Sequence, residues 1–202
     1  MNLSLLALGD SYTIGEQVPL FDSFPYQTIQ LIRKQLPFHE FAAPEIIAKT
    51  GWTTDELSQQ IDNTHFLKKY DFVSLLIGVN NQYRGRDISN YKEEFEHLLL
   101  KAVDFAGGKH NHVFVLSIPD WGVTPFADGR DSDLIAIEID QYNKACEQIT
   151  LSHKCNFIDI TTDQRNDKND ISFLTSDKLH PSGKEYSKWA AKLSLAMASQ
   201  ID

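Results

Sequence analysis

The sequence contains too few cysteines for a disulfide framework and no apolar run of membrane-spanning length. Its 202 residues include only Cys146 and Cys155, whose spacing matches no zinc-binding pattern. No run approaches the roughly 18 to 20 apolar residues that a bilayer span needs. The N-terminus also lacks the basic region and cleavage site of a secretion signal. With Met1 as the native start, we therefore expect a cytoplasmic protein without membrane insertion.

Several widespread nucleotide-binding and catalytic motifs are missing as well. The chain contains neither G-x-x-x-x-G-K-[ST], which cradles phosphates, nor G-x-G-x-x-G, which binds dinucleotides. It also lacks the G-x-S-x-G elbow of α/β-hydrolases. Positive charge is scarce, since 19 Lys and Arg face 28 Asp and Glu for a net charge of −9. This balance argues against nucleic acid or an anionic membrane surface as the main partner.

The composition that remains is that of one ordinary globular domain. Hydrophobic residues make up 42% of the chain and charged residues 23%, values that are usual for a folded domain. A chain of this length can bury one core well but is short for two. We expect residues 1–202 to form a single domain.

Five apolar runs, each cut off by a polar turn, predict buried strands alternating with helices. A capping pair at Thr53 and Glu56 predicts one helix start, and Asn90 with Glu93 predicts another. Pro181 is expected in the first turn of the last helix. The predicted strands are 3–8, 45–49, 72–77, 113–118 and 156–160, the predicted helices include 25–36, 53–63, 90–107 and 181–200, and the predicted loops include 82–89 and 161–169.

The alternation predicts a parallel sheet covered by helices on both faces. Ligands of such sheets bind beyond the carboxyl ends of the strands. Ser11, Gly51, Asn80 and the loop at Pro119 each follow a predicted strand. We therefore expect them to share one rim of the sheet.

The first strand ends abruptly in Gly9-Asp10-Ser11. Glycine permits a tight turn there, which would place Ser11 just beyond the strand and at the start of a helix. The alternative is an ordinary turn in which the serine only caps a helix. Asp10 is interpreted as a brace of the turn through backbone N–H groups, as Asx side chains commonly are.

A serine nucleophile needs a base within hydrogen-bond reach and a third group to orient that base. His180 precedes a proline, which pushes its backbone out of the helical region and onto a loop. Asp177, three residues earlier, can reach Nδ1 of the imidazole and leave Nε2 facing the serine. Hydrogen-bond donors for an oxyanion are available from the N–H groups of Ser11 and Gly51 and from the side-chain amide of Asn80.

Together, Gly9-Asp10-Ser11-Tyr12, Gly51, Gly78-Val79-Asn80 and Asp177-x-x-His180-Pro181 resemble the four blocks of the SGNH (GDSL-type) hydrolases. The resemblance implies a flavodoxin-like three-layer α/β/α sandwich with five parallel strands. It implies Ser11 as nucleophile, His180 as base, Asp177 as its orienting acid, and Ser11, Gly51 and Asn80 as the oxyanion hole. It also implies hydrolysis of a small-molecule carboxylic ester or thioester without a metal or cofactor. Asn81 stands where members of the family often carry an acidic residue.

The substrate is less constrained than the chemistry. Loops 15–25, 82–87 and 119–130 are expected to shape the pocket, with Tyr83, Arg84, Arg86 and Trp121 on a polar-aromatic rim. Few aliphatic residues occur in a row there, which favours a short acyl group on a polar or carbohydrate carrier. Longer acyl chains, as in a lysophospholipase or thioesterase, are an alternative, and a non-catalytic binding module on the same fold is another.

Other polar residues have ordinary structural interpretations. Lys178 is expected to be a solvated loop charge. His110 and His112 flank a strand start at the end opposite the proposed site, and we interpret them as surface residues and not metal ligands. Cys146 is expected on the buried face of a helix. Trp121 and Phe126 suit either a pocket wall or loop packing.

Overall fold

The computed structural model describes residues 2–201 and has a five-stranded parallel sheet at its centre. Its strands are β1 (Leu5–Gly9), β2 (Glu45–Ala48), β3 (Phe72–Leu76), β4 (Val113–Leu116) and β5 (Asn156–Ile158). The order across the sheet is β2-β1-β3-β4-β5, which confirms the predicted number and direction of strands. A short parallel pair, Asn2–Leu3 with Glu40–Phe41, lies outside this sheet.

Helices cover both faces of the sheet and complete the predicted three-layer α/β/α arrangement. The helices are α1 (Ser11–Ile14), α2 (Phe24–Gln35), α3 (Thr54–Asp62), α4 (Val79–Tyr83), α5 (Ile88–Phe105), α6 (Ser132–Ser152), α7 (Thr161–Asn166) and α8 (Gly183–Ala198). Helices α2 and α8 pack closely against each other, and α5 packs between α3 and α6 as a second group. Short 3-10 turns occupy Leu20–Asp22, His110–His112, Trp121–Val123, Pro125–Ala127 and Ile171–Phe173.

Burial explains why the central strands are recognisable in the sequence. Every residue of β1, β3 and β4 is buried, because helices lie over both faces of these strands. The edge strand β2 is only half-buried. Cys146 is buried on α6, as predicted, and Cys155 is buried before β5.

Glycine is required at position 9, at the end of β1, because neighbouring atoms leave no room for a side chain, whereas the sequence predicted a tight turn as the reason. A Cβ atom there would lie 2.1 Å from Thr13 Oγ1 and 2.4 Å from the carbonyl oxygen of Leu76 on β3. The backbone of β1 therefore approaches α1 and β3 more closely than any side chain allows. This close approach brings Ser11 directly over the carboxyl edge of the sheet.

The predicted helix start at Thr53 is confirmed, whereas the one at Asn90 is wrong. The N–H of Thr53 donates to Glu56 Oε2 over 2.9 Å, which completes the capping box of α3. Helix α5 instead begins after Asp87, whose carboxylate accepts the N–H of Ser89 over 2.7 Å. Asn90 lies inside the helix, because the earlier Asp87 already satisfies the free N–H groups of the first turn.

Three further boundaries differ from the predictions. Helix α4 lies where a strand-ending turn and the loop 82–89 were expected, and α7 lies within the predicted loop 161–169. Both helices have at most six residues, which is too short for a helical repeat to show in the sequence. Pro181 lies outside α8, since Ser182 is the cap of that helix and Pro181 forms a β-bridge with Leu174.

We expect Gly9→Ala to lower the free energy of unfolding by about 3 kcal/mol or more, at the upper end of overpacking costs, because a neighbouring backbone atom cannot move aside. Urea denaturation would measure this loss. Gly129→Ala is the control, since Gly129 has a positive φ of 82° but no heavy atom near its would-be Cβ. That variant should lose only about 1 to 2 kcal/mol from backbone strain. Equal losses in the two variants would contradict a steric role for Gly9.

Candidate active site

A cavity of about 180 Å³ opens beyond the carboxyl ends of the central strands. The structure brings four of the sequence-predicted site residues to it, namely Ser11, Gly51, Asn80 and His180. Asp177 lies next to His180 and does not line the cavity. The complete lining consists of Ser11, Tyr12, Thr50, Gly51, Val79, Asn80, Tyr83, Trp121, Phe126, Leu179 and His180.

Ser11 is the first residue of α1, immediately after the turn that ends β1. Asp10 braces this turn as predicted, since its Oδ1 accepts the N–H of Tyr12 over 3.0 Å. The N–H of Ser11 has no hydrogen-bond partner among residues 2–201. The turn therefore holds both the hydroxyl and a free backbone donor of Ser11 at the cavity.

Asp177 and His180 form a tightly bonded pair on the loop before α8. Asp177 Oδ2 lies 2.6 Å from His180 Nδ1, as the spacing predicted. Its Oδ1 accepts the N–H groups of Leu179 and His180 over 2.9 and 3.0 Å and the hydroxyl of Thr175 over 2.8 Å. Partial burial disfavours the charge of Asp177, but the bonds from His180, Leu179 and Thr175 outweigh it and lower its pKa to about 2.

Two further neighbours hold His180, one at its ring and one at its backbone. The Tyr12 ring packs against it with ring centroids 5.5 Å apart, and the N–H of Thr175 donates to the His180 carbonyl over 2.8 Å. No hydrogen bond joins Ser11 to His180 within the described chain, although both line the cavity. Nucleophile–base contacts are commonly long without substrate and shorten when the complex forms.

Gly51 lies in the loop between β2 and α3 with a positive φ of 83°, a conformation that favours glycine. Its N–H, like that of Ser11, is unpaired within residues 2–201. Its carbonyl, which belongs to the next peptide bond, accepts a hydrogen bond from Arg84 Nη2 over 2.6 Å. The loop thus presents a second free backbone donor at the cavity.

Asn80 and Asn81 follow β3 on α4 and make different contacts. Asn80 Nδ2 donates to the carbonyl of Trp52 over 3.0 Å and lies 3.4 Å from Asp10 Oδ2. The buried Asn81 binds Thr54 through both ends of its amide, over 2.6 and 3.1 Å. Asn81 therefore ties α4 to the start of α3, a contact that only the folded chain reveals.

An aromatic wall formed by Tyr83, Trp121 and Phe126 closes one side of the cavity. The rings of Tyr83 and Trp121 meet edge to face with centroids 5.2 Å apart. Trp121 Nε1 donates to Gln82 over 2.7 Å, and Arg130 stacks over the rings of both Tyr83 and Trp121. Trp121 and Phe126 thus line the pocket.

The expected polar rim is partly wrong. Arg84 binds Gly51 and Glu56, and Arg86 binds Asp55 over 2.6 Å, so neither guanidinium lines the cavity.

Loop 15–25 also contributes no lining residue within the described chain. It packs instead against the start of α8, where Gln27 binds the carbonyls of Asp22 and Gly183 over 2.7 and 2.8 Å.

Asp10 is fully buried beside Ser11, and burial outweighs its hydrogen bonds to raise its pKa to about 7. The folded protein therefore keeps a proton on Asp10 that the unfolded chain releases above about pH 4. Because unfolding releases this proton between about pH 4 and 7, Asp10 lowers stability progressively across that range.

No group of three or more His, Cys, Asp or Glu side chains within residues 2–201 could hold a metal ion. His110 and His112 instead approach the carbonyls of His153 and Asp71 through Nδ1, at 2.6 and 2.7 Å.

Lys178 is exposed, as expected for a loop charge. Across residues 2–201, no helix combines the length and hydrophobicity needed to span a bilayer.

We expect Asp10→Asn to remove part of the fall in stability between pH 4.5 and 7.5. The raised pKa of Asp10 corresponds to a loss of at most about 4 kcal/mol in the free energy of unfolding of the wild type. Urea denaturation at several pH values would measure it. Asp170→Asn is the control, because the Ser172 hydroxyl and Lys184 lower the pKa of the exposed Asp170 to about 2, below this range. Parallel stability curves for wild type and Asp10→Asn would contradict the effect of burial.

A family model and several solved structures match the chain. A family model described as the GDSL-like lipase/acylhydrolase family matches residues 7–188. None of the curated proteins compared with the chain is similar enough in sequence to count as a relative.

Solved structures share the fold at low sequence identity. A lipase/acylhydrolase from Enterococcus faecalis has a TM-score of 0.75 at 18% identity, with 99% of this chain and 97% of that one covered. The acetylxylan esterase Axe2 from Geobacillus stearothermophilus has a TM-score of 0.76 at 18% identity, with 96% and 94% covered. The hydrolase LAE5 from a Lake Arreo metagenome scores 0.75 at 17% identity, with 100% and 99% covered.

The family model covers most of the chain and includes all the cavity-lining residues named above. The chain therefore belongs to the GDSL-like lipase/acylhydrolase family and is an SGNH-type hydrolase of ester or acyl bonds.

Proposed function

We propose that the protein is a serine esterase that cleaves short acyl groups from a polar or carbohydrate carrier through an acyl-enzyme, with residues 1–202 acting as one domain. The observation that carries the proposal is the meeting of Ser11, the Asp177–His180 pair and two unpaired backbone N–H groups at one cavity. A binding module would not need this combination of nucleophile, oriented base and anion-stabilising donors.

In the proposed reaction, His180 Nε2 takes the proton of the Ser11 hydroxyl while Oγ attacks the ester carbonyl carbon. The tetrahedral intermediate then breaks its bond to the leaving alcohol, which receives the proton from His180. Water then attacks the acyl-Ser11 carbonyl with His180 as base, the bond from the acyl carbon to Ser11 Oγ breaks, and His180 returns the proton to Oγ as the carboxylic acid leaves. Asp177 keeps Nδ1 protonated and Nε2 free for these transfers.

The negative charge that develops on the carbonyl oxygen requires donors already in place. The N–H groups of Ser11 and Gly51 serve this role, because neither has another partner within residues 2–201. One hydrogen of the Asn80 amide is held by Trp52, while the second has only the long 3.4 Å contact with Asp10. That second hydrogen is the third proposed donor.

The lining of the cavity supports a short acyl group. Among the described residues that line it, only Val79 and Leu179 are aliphatic, whereas a long fatty acyl chain would need a longer apolar groove. Tyr83, Trp121 and Phe126 offer ring faces on which the apolar face of a sugar could stack. The fold shared with an acetylxylan esterase is consistent with such a carrier.

We expect Ser11→Ala to abolish the hydrolysis of p-nitrophenyl esters, while the wild type prefers acetyl over octanoyl and decanoyl esters. Initial rates over the series from acetyl to decanoyl would test both points. Ser187→Ala, at a half-buried position of α8 that does not line the cavity, is the control and should match the wild type. Equal rates in wild type and Ser11→Ala would refute the nucleophile, and an optimum at decanoyl would refute the short acyl group.

We expect Asp177→Asn to lower kcat by about 10³ to 10⁴, because an amide that donates to Nδ1 selects the wrong imidazole tautomer. The measurement is kcat with p-nitrophenyl acetate, beside circular dichroism to show that the variant is folded. Thr175→Ala is a milder comparison that removes one bond to Asp177 and keeps the carboxylate. A folded Asp177→Asn variant with a kcat within tenfold of the wild type would contradict this role.

A further inference from the structure

The loop that carries Gly51 is held by hydrogen bonds more than by burial. Thr50 is exposed, and Gly51 and Trp52 are only half-buried. We call residues 50–52 the Gly51 loop. Because a proposed oxyanion donor must point at one position, some other part of the chain has to hold this exposed loop.

Two side chains from α4 and its C-terminal end supply that support. Asn80 donates to the carbonyl of Trp52 over 3.0 Å, and Arg84 donates to the carbonyl of Gly51 over 2.6 Å. Residues four apart on a helix lie on the same face. Asn80 and Arg84 therefore donate hydrogen bonds to two successive carbonyls of the Gly51 loop from the same side.

Arg84 is itself anchored at the start of α3. Its Nη1 lies 3.3 Å from Glu56 Oε2, and Glu56 also accepts the N–H of Thr53 over 2.9 Å. A Cβ atom on Gly51 would lie 3.6 Å from Arg84 Nη2, so the guanidinium packs directly on the glycine. Arg84 thus joins the Gly51 carbonyl to the capping box that follows it.

We propose that Arg84 is a positioning residue of the oxyanion site: by binding the Gly51 carbonyl, it limits rotation about the Gly51 backbone and so keeps the N–H of the preceding peptide bond at the cavity. The proposal rests on the proposed function. Arg84 does not line the cavity and need not touch the substrate. Its bond to the carbonyl restricts the backbone of Gly51, where glycine would otherwise move freely.

Arg86 provides a matched comparison for Arg84. It carries the same charge two residues later and binds Asp55 at the start of the same helix α3, over 2.6 Å. It makes no hydrogen bond to the Gly51 loop within the described chain. If Arg84 contributed only a surface ion pair, which adds little to stability, replacing either arginine would have the same small effect.

The first test compares Arg84→Gln, Arg84→Lys and Arg86→Gln by steady-state hydrolysis of p-nitrophenyl acetate. We expect Arg84→Gln to lower kcat about tenfold to a hundredfold, less than the loss of a whole donor, with KM changed less than about threefold. Arg84→Lys should recover part of kcat, because an ammonium group can still donate to the Gly51 carbonyl. Arg86→Gln should stay within about twofold of the wild type.

A second measurement follows the Gly51 amide directly by ¹H–¹⁵N NMR and does not depend on catalysis. We expect its signal to shift or broaden in Arg84→Gln and to be unchanged in Arg86→Gln. An unaltered Gly51 signal in Arg84→Gln, or equal kcat losses in the Arg84→Gln and Arg86→Gln variants, would overturn the positioning role. Equal activity of wild type and Ser11→Ala would instead refute the proposed function, and the NMR comparison would still decide the role of Arg84.

Discussion

The parallel pairing of β1 with β2 on one side and β3 on the other is the constraint on which the site depends. Gly9 lies opposite Ala48 and Leu76 in these two ladders. Parallel strands end at the same edge, so the residues that follow all three strands are brought together there. The close approach of Gly9 to β3 then lets α1 begin at once and places Ser11 beside Gly51 and Asn80.

Beyond that edge, the site is held by hydrogen bonds from side chains to backbone. Asp10 braces the Ser11 turn, Asp177 binds both the imidazole and the backbone of His180, and Asn80 and Arg84 bind the Gly51 loop. These bonds fix the positions of the Ser11 turn, His180 and the Gly51 loop. The burial that raises the pKa of Asp10 to about 7 is expected to lower stability near neutral pH.

Much of the fold and the arrangement of the candidate site could be predicted from the sequence, because local chemistry determined them. Continuous apolar runs revealed the strands, the spacing of Thr53 and Glu56 revealed a helix start, and that of Asp177 and His180 allowed their bond. Helix α4 could not be predicted, since five residues show no periodicity. The contacts of Arg84 and Asn81 join residues about 30 positions apart in the sequence, so only the folded chain defines them.

We propose that Ser11 is the residue acylated during turnover. A short-chain fluorophosphonate transfers its phosphonyl group to an activated serine and releases fluoride, and peptide mass spectrometry then locates the adduct. We expect one adduct, on Ser11, that forms in proportion to the loss of esterase activity. Complete loss of activity with Ser11 unmodified, or a stoichiometric adduct on a different residue, would contradict it.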